Sequence, residues 1–211
     1  MLASVERLLR DDVAATPPVA TCLRLGACGS ALSGLALGAS SGEPWLAVYA
    51  AIKVPLLLAL TALFCLPSFY VGNTLLGLRD DFAAACRGLL ATQATLGVAL
   101  GALAPVLVFQ SLSVLDPYAL TLCDAIVFGL ATWAAQQMLA RHYRPLVARA
   151  PRHRVALRGW LVLYAFTGVQ LAWVLRPFRG TEGFAVQFLR PEAFQQNAYL
   201  VLLDHLLRLF R

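Results

Sequence analysis

The chain has 211 residues, of which 60% are hydrophobic and only 13% charged, with a formal net charge of +6. Soluble globular domains carry roughly a quarter charged residues, so these proportions exclude one and leave room for a single membrane domain. The basic residues, all arginine except Lys53, cluster between apolar runs, the distribution of topology signals and not of a nucleic-acid-binding face.

The opening "MLASVERLLRDD" sets Leu2, Val5, Leu8 and Leu9 at helical spacing with Glu6, Arg7, Arg10 and Asp11 opposite, which predicts an amphipathic surface helix within residues 1–18. It lacks the basic leader, compact apolar core and small-residue cleavage site of a secretory signal, so the first apolar run is expected to remain in the mature protein. Five apolar runs follow, at about 19–39, 45–66, 88–112, 118–140 and 159–175. Each is close to the ~20 residues needed to cross ~30 Å of hydrocarbon. The expected fold is all-α: a polytopic transmembrane helix bundle over residues 19–178, then a tail, 179–211, holding a second amphipathic helix.

Orientation follows from the arginines. The linker "RHYRPLVARAPRHRVALR" carries Arg141, Arg144, Arg149, Arg152, Arg154 and Arg158 without an acid, whereas "SSGEP" and "SVLDP" contain no Lys or Arg. Short basic loops stay cytoplasmic. Alternation then puts the amino terminus and the Arg79–Arg87 connection inside, and Arg24 near the inner interface within snorkelling reach. The Ala, Leu and Arg bias points to a high-GC bacterial genome, so the expected location is a bacterial inner membrane. The tail fits this scheme badly, because Arg176, Arg179, Arg190, Arg208 and Arg211 would begin on the outer side. Between Ala198 and Phe210 its apolar stretch is short and interrupted by Asp204 and His205, which predicts an interfacial or partner-bound helix, with a sixth crossing as the alternative.

"AIKVPLLLAL", residues 51–60, puts Lys53 about 12 Å into the second run, and Asp124 lies about 9 Å into the fourth from the same side. A lone charge in hydrocarbon costs at least ~2.5–3.5 kcal/mol, so an interhelical Lys53–Asp124 ion pair is expected. Pro55 removes a donor and leaves the Ala51 carbonyl as an extra acceptor nearby. The pair either fixes which helices are neighbours or belongs to an ion or proton pathway. The other deep polar groups, Gln93, Gln110, Gln170, Thr92, Thr95 and Thr132, are neutral and can satisfy one another between helices.

In the first run Gly26, Ser30, Gly34 and Gly38 recur every fourth residue and form a smooth helix-packing stripe, for this bundle or for another subunit. At the end of the fifth run, Pro177 disfavours helix at Arg176 and Gly180 permits a turn, which places Arg176, Phe178 and Arg179 at the outer mouth. There the guanidiniums would anchor lipid phosphates or dock a carboxylate or phosphate of a partner. Five scattered cysteines without CxxC spacing, and three histidines outside the runs, make no metal, haem or iron–sulfur constellation. Nor is there a Walker loop, GxSxG, HExxH or dinucleotide fingerprint. No cofactor is expected, and no enzymatic activity.

"LPSFYVGNTLLGLRDDFAAACRGLLATQATLGVALGALAPVLVF", residues 66–109, combines an aromatic helix end, a small-residue turn at Gly77, a polar lead into the next helix and Pro105 deep in that helix. This resembles the link between the second and third spans of bacterial members of the Ypt/Rab-interacting (Yip) family, five-span proteins with a cytoplasmic amino terminus. "LYAFTGVQLAWVLRPFRG", residues 163–180, is similar to a stretch in other bacterial membrane proteins. The resemblance implies a helical membrane protein without chemistry of its own. The expected function is an accessory or structural subunit of a larger membrane complex, contacting lipids and other subunits or copies of itself. A homo-oligomeric channel or transporter with a Lys53/Asp124 pathway is the alternative.

Overall fold

The computed structural model describes residues 2–9, 17–39, 43–114, 116–176, 178–179 and 188–189. It is all-helical: α1 (Leu2–Leu9), α2 (Val19–Ala39), α3 (Pro44–Leu75), α4 (Phe82–Ala102), α5 (Ala104–Ser113), α6 (Pro117–Arg149) and α7 (His153–Val174). Five helical stretches are long and apolar enough to cross a membrane, as a multi-pass membrane protein requires. The predicted C-terminal helix, Ala198–Phe210, lies outside the described residues.

Local chemistry sets the helix ends. Asp116 caps α6 by accepting a hydrogen bond from the Ala119 amide at 2.7 Å. α3 closes on Gly77, whose φ of +72° suits glycine, with Leu78 donating to the Asn73 carbonyl at 2.8 Å and Gly77 to that of Thr74 at 3.0 Å. The third predicted run is two helices and not one. Pro105 has no amide to continue α4, so the chain stops at Leu103 and restarts as α5. Pro55 and Pro67, by contrast, lie inside a continuous α3.

The helices pack in a closed cycle, α2 against α3, α3 against α7, α7 against α6, α6 against α4, and α4 back on α2. Among transmembrane helices, close backbone approach does the work that water exclusion does in soluble cores. Gly26 and Gly29 of α2 lie on Gly97 and Gly101 of α4, while Gly34 and Gly38 lie on Ala50 and Ala47 of α3. Between α3 and α7 the register is constant along the pair: Leu76 meets Arg152, Phe69 meets Trp160 and Thr61 faces Gly168. Tyr164 donates to Gln93 Oε1 at 3.0 Å, tying α7 to α4 across the interior.

These contacts also establish heights. The start of α2 at Val19 is level with Cys65 of α3, Leu90 of α4, Ala140 of α6 and Tyr164 of α7. Beyond that plane four helices continue for about ten residues, so one end of the bundle projects about 15 Å past α2. The predicted second and fourth runs are the membrane parts of longer helices that continue to Leu75 and Arg149.

Candidate functional site

At the end opposite the projection, a buried polar cluster is built from three parts of the chain. Asp124 of α6 receives Nε of Arg179 on Oδ2 and Nη2 on Oδ1, both at 2.7 Å, a bidentate pair with the two side chains 15% and 20% exposed. Gln110 of α5 donates to the same carboxylate through Nε2, and a second donation from Arg179 Nη2 reaches the Leu107 carbonyl at 3.3 Å. The α4–α5 break makes this possible, since it turns Leu107 and Gln110 toward α6.

The expected Lys53–Asp124 pair is therefore corrected. α3 and α6 make no extended contact, and the chain leaving α7 supplies the partner of Asp124 instead. Lys53 is fully buried, with Nζ 5.2 Å from the centroid of the Phe188 ring, and that ring meets Tyr49 edge-on at 5.6 Å. By the α3–α7 register Lys53 is level with Arg176, at the end of α7. The negative end of a helix dipole favours a cation there, which gives a deep lysine a reason to exist.

The second correction concerns Arg176, Phe178 and Arg179. They are not at an outer mouth. α7 begins on the projecting end, so its 22 residues, about 33 Å, are used up before it reaches the far side, and Val174 stands opposite Pro55. Past it, Arg176 stacks on the Trp173 ring with 3.1 Å from Cζ to the centroid, Phe178 packs on the apolar core, and Arg179 enters the cluster. Phe188 then covers the first turns of α3. Arg179 and Phe188 thus belong to the bundle, although the sequence assigned them to the tail.

At the projecting end the α3–α4 and α6–α7 turns are bound together. Asp81 accepts from His153 Nε2 at 3.0 Å and faces Arg149 Nη1 at 3.8 Å, while Arg152 Nη1 donates to the Leu76 carbonyl at 3.4 Å. His153, Tyr143, Trp160 and Asn73 are buried beneath this knot. Arg87, Arg141, Arg144 and Arg158 are exposed around its base. An exposed guanidinium in hydrocarbon costs at least ~2.5 kcal/mol, which argues for a membrane boundary near the plane of Val19, with the exposed Arg24 of α2 within snorkelling reach of it. Arg79, Arg149, Arg152 and Arg154 stand farther out.

The stripe Gly26, Ser30, Gly34 and Gly38 is occupied within the protomer, split between α4 and α3. Ser30 and Ser33 turn their hydroxyls back onto the α2 backbone, Ser30 to Gly26 at 2.7 Å and Ser33 to Ser30 at 2.7 Å. Gly29, which makes the tightest crossing with Gly97, falls outside the four-residue repeat and was not singled out. Arg179 was singled out, but as an anchor or docking group at the outer mouth and not as the partner of Asp124, though the sequence held that signal: an intramembrane acid short of a partner, and an arginine that the positive-inside rule could not place. Among the described residues the five cysteines are free thiols. Comparison with protein-family models, with curated proteins and with solved structures found no match.

Proposed function

We propose that this is a non-catalytic integral membrane protein of a bacterial inner membrane, amino terminus in the cytoplasm, acting as an accessory or structural subunit of a larger membrane assembly. The carrying observation is the Asp124–Arg179–Gln110 cluster, which closes inside one protomer. Charges spent on each other hold helices in place, whereas a shared conduction axis would need them turned outward. Lys53 supports the same reading, being buried against α7 and Phe188 and not presented to a neighbouring copy. The exposed arginines on the projecting end support the proposed orientation, with that end and the amino terminus in the cytoplasm. Kinship with Yip-like proteins belongs to the same proposal and rests on residues 66–109 and 163–180 alone.

Native mass spectrometry of the protein extracted from its host in mild detergent tests this reading. Other membrane polypeptides at fixed stoichiometry are expected. A closed ring of identical chains would overturn it in favour of a channel, and a monomer binding only lipid would remove the assembly.

A further inference from the structure

The projecting end carries more than a topology signal. Headgroups add about 5–7 Å to each side of the hydrocarbon. Arg87, Arg141, Arg144 and Arg158 lie within or just beyond that layer, where lipid phosphates explain them. Arg79, Arg149, Arg152 and Arg154 lie about 13–15 Å past the plane of Val19, outside it. The ties among Asp81, His153, Arg149, Arg152 and Leu76 join the two turns that carry them. Arg79 and Arg154 are exposed and make no ion pair with a described residue.

An independent observation stands beside the charge. Val71 and Leu75, one turn apart on α3, are 55% and 83% exposed although they too lie beyond the boundary plane. Lipid chains do not reach them, and water penalises them. Leu75 precedes Leu76, whose carbonyl Arg152 reaches, so the apolar pair and the guanidiniums occupy the same end of the bundle, a combination that suits neither a lipid headgroup nor a nucleic acid backbone but does suit a protein segment with apolar and acidic faces.

We infer that this end is a docking surface for an acidic amphipathic segment of a cytoplasmic protein, with apolar side chains on Val71 and Leu75 and carboxylates on Arg79, Arg152 and Arg154. Arginine suits this role because its planar fork pairs bidentately with carboxylates. The inference rests on the accessory-subunit reading and names the side on which one partner binds.

The test is site-directed photo-cross-linking in the native host, with a photoreactive residue in place of Leu75 and, as a lipid-facing control, in place of Leu63. An adduct with a polypeptide is expected at position 75 alone. Its cross-linked peptide should be rich in Asp and Glu, and its yield should fall at least tenfold in Arg79→Gln/Arg154→Gln. Neither arginine supports the fold, and raised salt in permeabilised cells should give the same loss with no substitution. Adducts with lipid or nucleic acid only, no adduct, or a polypeptide adduct indifferent to both arginines and salt would each overturn the inference. If native mass spectrometry finds no membrane subunit while the acidic adduct forms, docking stands and the accessory-subunit reading fails. If the membrane complex persists in the double variant with no adduct, the reverse holds.

Discussion

Arg179, in the chain that leaves α7, holds both carboxylate oxygens of Asp124 in the third turn of α6, each at 2.7 Å. The contact joins α6 to a segment with no regular secondary structure, and the Gln110 donation extends it to α5. Irregular backbone at membrane depth is tolerated only where protein surrounds it, and here Arg176 lies on Trp173, Phe178 on the apolar core and Arg179 in this cluster.

Removing one member of a buried pair leaves the other uncompensated, so Asp124→Leu and Arg179→Met should each cost about 3 kcal/mol or more. The double variant should recover most of that loss. Unfolding in detergent, followed by circular dichroism against added SDS, measures the coupling. Lys53→Met combined with Asp124→Asn should by contrast be additive within about 0.5 kcal/mol, because the two do not touch.

Gly29→Leu or Gly97→Leu should abolish the folded yield, because even a Cβ at either position overlaps the opposing backbone. Gly129→Ala and Gly159→Ala meet nothing within 4 Å and should stabilise by about 0.5–1 kcal/mol through helix propensity. Size-exclusion yield and melting temperature separate the two classes.

Gly77→Ala forces a Cβ into a left-handed turn, at a cost of about 1–2 kcal/mol. The turn carries Asp81 toward His153, so the proteolytic resistance of the projecting end should fall with it. Limited trypsinolysis at Arg79 and Arg152 reads this directly.

In a cysteine-free background, Val174→Cys should resist a membrane-impermeant maleimide applied from outside, while Glu43→Cys should react. Full labelling of Val174→Cys would show that α7 crosses completely and that its height relative to α3 has been misjudged.

Much of the architecture was legible because composition and apolar run length report the membrane directly. The five apolar helices and the small-residue face of α2 are local features, whereas the break at Pro105 was not read and the third run was expected as one helix. What could not be read was azimuth. Periodicity says that Asp124 needs a partner but not which helix stands beside α6. The end of α7 was read well, at Leu175 against Val174, but its start was put at Gly159 and not at His153, so the helix's place along the bundle was misread. Gly29 escaped notice because a parallel crossing of α2 with α4 needs only one or two smooth positions, not a repeat.

The 55 residues that separate Asp124 from Arg179 also have a meaning in time. A ribosome adds about 5–20 residues per second, so α6 is made about 3–11 s before the arginine that neutralises it. Through that interval the nascent chain offers the insertion machinery an acidic helix with only Gln110 to accept it. A chain ending before Arg179 never leaves that state. Termination between Asp124 and Arg179 should therefore yield a product that membrane quality control recognises by a single exposed carboxylate.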